Sequence, residues 1–152
     1  MQVTDVIDRE EIRTLLTVYV QCADTGRTDQ MLALFAPDAV MEPTGDPACH
    51  GREEIRAYFE RAGESFRAHM AVPLLRHHLS SIRIELPAPD EATSTSYFLA
   101  ITSIGPDHWG RYKDRLARTA DGWQIVHRQL LLEGRTADGW LDRHEAARAS
   151  NR

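Results

Sequence analysis

The hydrophobic pattern of the chain changes once, at Pro73, and this change limits the folds that the sequence can adopt. Before Pro73, apolar residues recur at spacings of three and four, which is typical of amphipathic helices. After Pro73, apolar and polar residues alternate, which is typical of strands with one buried face. Helices followed by consecutive strands predict an α+β domain in which the helices pack on one face of an antiparallel sheet.

The boundaries of the predicted elements follow from glycine, proline and capping residues. Three helices (about 8–25, 28–36 and 51–70) and a short strand (39–42) precede the change in pattern. Four long strands (77–86, 93–104, 110–119 and 123–132) follow it. Gly26 ends the first helix, Pro37 ends the second, and Asp121-Gly122 predicts a tight hairpin between the last two strands. The segment 136–152 is polar and predicts a tail or a loosely docked helix, so the domain is expected to comprise 1–135.

Composition excludes several classes of function. A net charge of −5 over 152 residues argues against a general nucleic-acid partner, which would usually be basic. No apolar run approaches the roughly 20 residues that a membrane span needs, so no membrane partner is expected. The N-terminus lacks the pattern of a secretory signal, and two cysteines, Cys22 and Cys49, make no disulfide framework. A cytoplasmic location is therefore the expectation.

One face of the first helix carries apolar side chains together with groups that can handle protons. Its apolar stripe consists of Ile12, Leu15, Leu16, Tyr19, Val20 and Ala23. Tyr19 lies inside this stripe and Asp24 lies at its edge, so the helix brings a phenol and a carboxylate to the core. Two interpretations stay open. Either both residues are catalytic, or Tyr19 is an ordinary core residue and Asp24 a solvated residue at a helix end.

A pair of histidines, His77 and His78, opens the first long strand. Neighbouring residues on a strand face opposite sides, so strict alternation places His78 on the core face with Ile82 and Ile84, whereas a β-bulge would place His77 there. The residues alone leave this choice open. An imidazole close to Asp24 would have a chemical use, because a carboxylate bonded to one ring nitrogen fixes the tautomer and raises the basicity of the other nitrogen.

The sequence also offers candidate substrate-binding residues, but no metal or cofactor motif. Tyr97 and Tyr112 lie on predicted strands and are, with His78, candidate substrate-binding residues, although a core position is the alternative for Tyr112. The histidines lack the spacing of a helical metal site, so no metal is expected. Neither a P-loop nor a glycine-rich dinucleotide motif is present, so no cofactor is expected.

Several segments resemble the SnoaL-like branch of the nuclear transport factor 2-like (NTF2-like) superfamily, which includes scytalone dehydratase, bile-acid 7α-dehydratase and steroid Δ-isomerase. These segments are 8–12 (Asp-Arg-Glu-Glu-Ile), 34–40 (Leu-Phe-Ala-Pro-Asp-Ala-Val), 51–55, 76–80, and 110–112 with 121–123. The resemblance covers nearly the whole of 1–135, the expected SnoaL-like domain. It implies a cone-like α+β fold in which N-terminal helices pack on a strongly curved antiparallel sheet.

The resemblance also implies candidate catalytic residues. Several lyases of the superfamily use an aspartate at the end of the first helix with a histidine at the start of the first long strand. Those positions are Asp24 and His77 here, so the resemblance favours His77 over His78. Tyr19 matches the pattern Tyr-x-x-Cys-x-Asp of the bile-acid dehydratases and is the third candidate catalytic residue.

Two functional hypotheses follow. The first is a cofactor-independent, dehydratase-like lyase or isomerase that acts on a small hydrophobic, cyclic hydroxy or keto compound in a pocket between the helices and the curved sheet. The alternative is a non-catalytic ligand-binding or assembly domain that resembles the small subunits of ring-hydroxylating dioxygenases. In either case we expect a homodimer or homotrimer, because one layer of helices cannot cover both faces of the sheet.

Overall fold

The computed structural model describes residues 2–151, and in this range four helices accompany one six-stranded sheet. The elements are α1 (Val3–Thr25), α2 (Thr28–Leu32), β1 (Phe35–Pro43), β2 (Cys49–His50), α3 (Gly51–His69), β3 (Leu75–Ala88), β4 (Glu91–Thr102), β5 (Gly105–Thr119), β6 (Gly122–Arg135) and α4 (Trp140–Ser150). The predicted α+β class is confirmed, with N-terminal helices packed on a curved, unclosed sheet.

The sheet has the strand order β2-β1-β6-β5-β4-β3. The four long strands form an antiparallel meander, as expected, but β1 runs parallel to β6, so the sheet is mixed. A parallel pair requires a crossover, which α3 and the meander together supply. β1 also begins earlier than the predicted 39–42, at Phe35. Pro37 is tolerated because the pairing with β6 shifts register between Phe35 and Val40, where no regular ladder is formed.

Register shifts in the meander bend the sheet into a concave surface. They occur at Ser80–Arg83 and Glu85–Ala88 in β3, at Ala100–Ile101 in β4, and at Trp109–Gly110 and Arg115–Leu116 in β5. Each shift adds local twist and allows a strand to turn inward. The helices α1 and α3 lie along this concave side and close the main hydrophobic core.

The predicted stripe of α1 is the part of that helix that the core buries. Ile12 and Leu16 are fully buried, and Tyr19 is 2% exposed. Burying a side chain of the Leu or Ile type contributes about 1.5–3 kcal/mol, so this stripe fixes which face of α1 is turned toward the sheet. That orientation also determines the direction in which the side chain of Asp24 projects from the end of α1.

The segment after Arg135, for which a polar tail or loosely docked helix was expected, contains α4. Its first residues, Trp140 and Leu141, are buried in a second small core with Phe66 and Met70 of the α3 end. The polar composition of the rest of α4 hides this anchor, because only the first turn of the helix is apolar.

The opposite face of the sheet remains exposed in the single chain. Tyr97 is 50% exposed and Trp109 is 38% exposed on that face. Self-association through it stays a prediction. Within residues 2–151, no helix is both long enough and apolar enough to cross a membrane.

Candidate functional site

A cavity of about 910 Å³ lies between the helices and the concave side of the sheet. Aromatic side chains supply much of its wall, among them Tyr19, Phe59, Phe98, Tyr112 and Trp140. Asp24, His77, His108 and His144 also line it. A cavity of this size, mostly apolar and with a few convergent polar groups, is the usual form of a small-molecule site.

The structure brings Asp24 and His77 together in the wall of this cavity. Nδ1 of His77 donates to Oδ1 of Asp24 at 2.6 Å, and the backbone N–H of His77 donates to Oδ2 of the same carboxylate at 2.9 Å. The side chain of His77 is only 11% exposed, and that of Asp24 only 7%. Because Nδ1 is held by the carboxylate, Nε2 is the ring nitrogen left to accept a proton.

A β-bulge in β3 selects His77 rather than His78 for the cavity. The pairing of β3 with β4 shifts between Ser80 and Arg83, and Ser81 has a left-handed backbone with φ of 51°. The extra residue reverses the alternation, so His77 shares the inner face with Ile84, which is 4% exposed. Strict alternation from Ile84 would have given His78.

Two of the predicted substrate-binding residues lie elsewhere. His78 is exposed on the outer face of β3, where alternation places it once His77 points inward. Tyr97 is on the outer face of β4, beside Trp109 and Arg111 in a separate depression of about 400 Å³. Neither side chain lines the main cavity, so their assignment as ligands of a substrate held there is corrected.

Tyr19 and Tyr112 do line the cavity, and a buried arginine lies behind them. Their rings meet edge to face at a centroid separation of 5.8 Å. The guanidinium carbon of Arg128 lies 4.0 Å from the ring centroid of Tyr19 and 4.4 Å from that of Tyr112. Arg128 in turn makes two hydrogen bonds to Asp114, of 2.7 and 2.8 Å, and both side chains are fully buried. The two phenols are thus fixed by packing and by cation–π contacts.

Burial determines the protonation state of both phenols. It raises the pKa of Tyr19, although the positive charge of Arg128 opposes part of this change. Burial raises the pKa of Tyr112 as well, with a further contribution from Tyr19. Both hydroxyls are therefore protonated near neutral pH and can donate a hydrogen bond to an oxygen in the cavity.

A second carboxylate–imidazole pair faces the same cavity, and sequence reasoning missed it. Nδ1 of His108 donates to Oδ2 of Asp107 at 2.8 Å, and the His108 ring centroid lies 5.9 Å from that of His77. Burial lowers the pKa of His108, while Asp107 opposes this change. Among residues 2–151, the Nε2 atoms of His77 and His108 have no hydrogen-bond partner. The site thus offers two imidazoles that can accept protons.

The helix α4 forms one wall of the cavity and supplies further groups that the sequence did not indicate. The indole of Trp140 lies 5.5 Å from the ring centroid of His108, and Nδ1 of His144 is 2.7 Å from Oγ of Ser65. Burial lowers the pKa of His144. The polar sequence of 136–152 does not predict these contacts, because they depend on how α4 docks.

Within residues 2–151, no cluster of three or more His, Cys, Asp or Glu side chains has the arrangement of a metal site. Two pairs in the cavity wall, Asp24 with His77 and Asp107 with His108, each join a carboxylate to one imidazole. Such pairs are suited to moving protons.

A comparison with protein families decides the classification of the chain. The family model of the SnoaL-like domain matches residues 4–129, which include α1, the Asp24–His77 pair and nearly all of the sheet. The chain belongs to the SnoaL-like family. The predicted resemblance is thereby confirmed, and helix α4 lies outside the matched region.

Solved structures have the same fold as this SnoaL-like domain. An NTF2-like protein with a cystatin-like fold from Novosphingobium aromaticivorans is 30% identical, with a TM-score of 0.73 over 95% of this chain and 88% of that chain. A candidate scytalone dehydratase from the same species is 23% identical, with a TM-score of 0.77 over 90% and 91% of the two chains. The β subunit of a candidate aromatic-ring-hydroxylating dioxygenase, again from that species, is 16% identical, with a TM-score of 0.68 over 89% and 94%. These neighbours show the fold and leave the activity of this SnoaL-like domain open.

Proposed function

We propose that this SnoaL-like domain is a cofactor-independent acid–base lyase or isomerase. Its substrate would be a small hydrophobic, cyclic hydroxy or keto compound held in the cavity between the helices and the sheet. The observation that carries the proposal is the bond of 2.6 Å between Asp24 and His77 in the wall of that cavity. The bond leaves Nε2 of His77 free for a reacting proton.

His77 acts as the general base in this proposal. Its Nε2 takes a proton from a carbon next to a carbonyl or another activating group, and the ring becomes an imidazolium. Asp24 balances the new positive charge and keeps the ring in place through the two bonds that it accepts. A base positioned in this way typically contributes about 10²–10⁴-fold to the rate.

Tyr19 handles the oxygen in this proposal. In an elimination, the electrons of the broken C–H bond form the new double bond while the C–O bond breaks, and the departing oxygen needs a hydrogen-bond donor and finally a proton. In an isomerisation, the carbonyl oxygen gains charge instead. A phenol that burial keeps protonated can serve in both cases. In an isomerisation, the imidazolium of His77 returns its proton at a second carbon, and the ring of His108, 5.9 Å from that of His77, offers a second acceptor for a substrate proton.

The lining of the cavity supports a hydrophobic cyclic substrate. Flat aromatic walls, including Phe59 and the stacked pair Phe98 and Tyr112 with centroids 4.7 Å apart, suit a planar or alicyclic ring system. Burial in such walls also strengthens electrostatic interactions with the few polar groups present.

The test begins with ligand discovery. A thermal-shift screen with small hydroxylated polycyclic and terpenoid compounds identifies ligands, because a ligand that binds the folded state raises the melting temperature. Each hit is then incubated with the protein and analysed for loss of water or for double-bond migration. Turnover of at least one hit is expected.

Variants of the two histidines then assign the base. We expect H77Q and D24N to lose about 10²–10⁴-fold in kcat, because H77Q removes the proton acceptor and D24N removes the charge that orients and stabilises the imidazolium. H78Q is the matched control, since His78 is the neighbouring residue on the outer face of β3 and its loss should leave kcat unchanged. The proposal is wrong if H77Q and D24N both turn over substrate at the wild-type rate.

A second candidate is a non-catalytic ligand-binding or assembly domain, and the likeness to a dioxygenase β subunit favours it. On this alternative, wild-type protein binds hits from the screen but converts none. Binding would then be weakened by changes in the aromatic wall, such as F59A, more than by H77Q.

A further inference from the structure

The carboxylate of Asp107 serves two elements at once. On one side its Oδ2 accepts from Nδ1 of His108 at 2.8 Å. On the other side the backbone N–H groups of Trp140 and Leu141, in the first turn of α4, donate to its Oδ1 and Oδ2 at 2.6 and 3.3 Å. Asp107 itself is fully buried.

The close approach of α4 to Asp107 depends on Gly139. A Cβ atom at this position would lie 2.7 Å from Oδ1 of Asp107, which is too close for any side chain. Gly139 is also the N-cap residue of α4 and makes no side-chain cap of its own. Asp107 therefore takes the place of the missing N-cap from a distant strand, and the first amides of α4 have no other side chain to bind.

The electrostatic effect runs from the helix to the imidazole. Burial raises the pKa of Asp107, but hydrogen bonds from His108 and from the amides of Trp140 and Leu141 outweigh it and hold this pKa below its ordinary value. The positive end of the α4 dipole acts in the same direction. Asp107 stays an anion inside the protein, and an anion at this place keeps the proton of His108 on Nδ1.

Packing completes the arrangement around His108. The ring is enclosed by Trp140 of α4, by Phe98 of β4 at 6.0 Å between centroids, and by His77, whose charge partner is Asp24. The titratable groups that face His108 are thus Asp107 and the His77–Asp24 pair. Of these groups, Asp107 is the one that also hydrogen-bonds to α4, whereas Trp140 contacts the ring by packing.

We infer that Asp107 is a positioning residue that uses the N-terminus of α4 to hold His108 as the neutral tautomer with Nδ1 protonated. Docking of α4 therefore completes the acid–base site, and Nε2 of His108 faces the cavity as a proton acceptor. The inference rests on the proposed function only for the role of His108 as a proton acceptor. The tautomer itself is a property of the ligand-free protein.

The experiment is a ¹⁵N NMR measurement of the imidazole rings in ligand-free protein, titrated from pH 8 to pH 5. Wild-type protein should show His108 with Nδ1 protonated and Nε2 unprotonated, and a titration midpoint below the ordinary value of about 6.5. In D107N the side-chain amide can offer its oxygen either to α4 or to His108 but not to both. We expect the tautomer of His108 to shift to Nε2–H, because the NH₂ group then meets Nδ1.

A second variant moves α4 without changing the chemistry of Asp107. In G139A the new methyl group pushes α4 away, so the Asp107 carboxylate loses the two amide bonds that fix its orientation and can rotate off Nδ1. We therefore expect a mixture of His108 tautomers, and a titration midpoint that rises toward about 6.5 because the ring is less buried. D24N is the control, since it alters the other pair and should change the ring signals of His77 while leaving the tautomer of His108 as in wild type.

Asp107 would be a helix cap and nothing more if D107N and G139A both lowered the melting temperature but left the tautomer and the midpoint of His108 unchanged. That result would overturn the inference while leaving the proposed role of His77 intact. Conversely, if the wild-type protein converted none of the ligands found in the screen, the proposed function would be wrong, but the tautomer of His108 would be unaffected.

Discussion

Arg128 carries a full positive charge in the interior of the protein, and one carboxylate neutralises it. Asp114 accepts two hydrogen bonds from the guanidinium and a third, of 3.1 Å, from the hydroxyl of Ser94. Taking both charges out of water is costly, so the pair is stable only while both partners are present. Its position behind Tyr19 and Tyr112 means that the phenols of the cavity depend on it as well.

We therefore expect D114N to lower the free energy of unfolding by about 3–5 kcal/mol, because it leaves a buried arginine without its counter-ion. Urea denaturation followed by circular dichroism measures this difference. E133Q is the control: it breaks the ion pair of Arg111 and Glu133 on the exposed face, and little change is expected. If D114N unfolded at the wild-type urea concentration, the pair would not have the role given to it here.

Single residues also show what sequence reasoning could reach. Asp24 and His77 were found because a helix end and a strand start are recognisable, and family resemblance paired them. Asp107 and His108 were missed because they lie between the predicted strands 93–104 and 110–119, whereas β5 begins at Gly105. They meet only because β5 is irregular at its start, where register shifts with β4 and β6 flank the pair. Pro106 and Gly110 in that stretch indicate an irregular strand start, but they do not indicate which side chains it brings together.

At the scale of elements, the β-bulge of β3 decides which histidine enters the cavity. Periodicity predicted the strand correctly but not its bulge, because Ser80-Ser81 contains no glycine, the residue that most often marks such a site. The helix α4 was underestimated for a related reason. Its docking depends on two apolar residues and on a cap supplied by β5, and neither makes a periodic pattern.

The bulge can be tested with a β-branched side chain. Ser81 has a positive φ, which a valine tolerates poorly, so S81V should destabilise the protein by on the order of 1–2 kcal/mol. S80V is the matched control on the neighbouring exposed residue and should be close to neutral. Thermal unfolding of the two variants checks the difference, and equal melting temperatures would argue against a strained Ser81.

At the scale of the whole molecule, the order of the elements was predictable and their pairing was only partly so. The change of period at Pro73 was sufficient for the α+β class and for the antiparallel meander. The parallel position of β1 beside β6 has no local signal, since it joins residues such as Val40 and His127 that are far apart in the chain. Sequence reasoning finds local patterns more easily than distant partners.

Stability should depend on pH through the buried histidines. Burial lowers the pKa values of His108 and His144 in the folded protein, so both stay neutral there while the unfolded chain binds protons at its ordinary pKa of about 6.5. Below that pH the unfolded state takes up more protons, and the free energy of unfolding falls as the pH decreases. Melting temperatures between pH 8 and pH 5 should show this loss, and the double variant H108N/H144N should show a smaller one. A melting temperature that does not change over this range would contradict the lowered pKa values of His108 and His144.

β1 can pair with its parallel neighbour only after β6 has been synthesised. On the ribosome, α1 and β1 emerge well before β6, the last strand of the sheet. Pairing between segments so far apart forms late, and the apolar face of α1 stays exposed until the sheet has formed. Nascent chains stalled before residue 122 are thus expected to be cut rapidly by proteases and to be retained by chaperones, whereas the released chain becomes resistant.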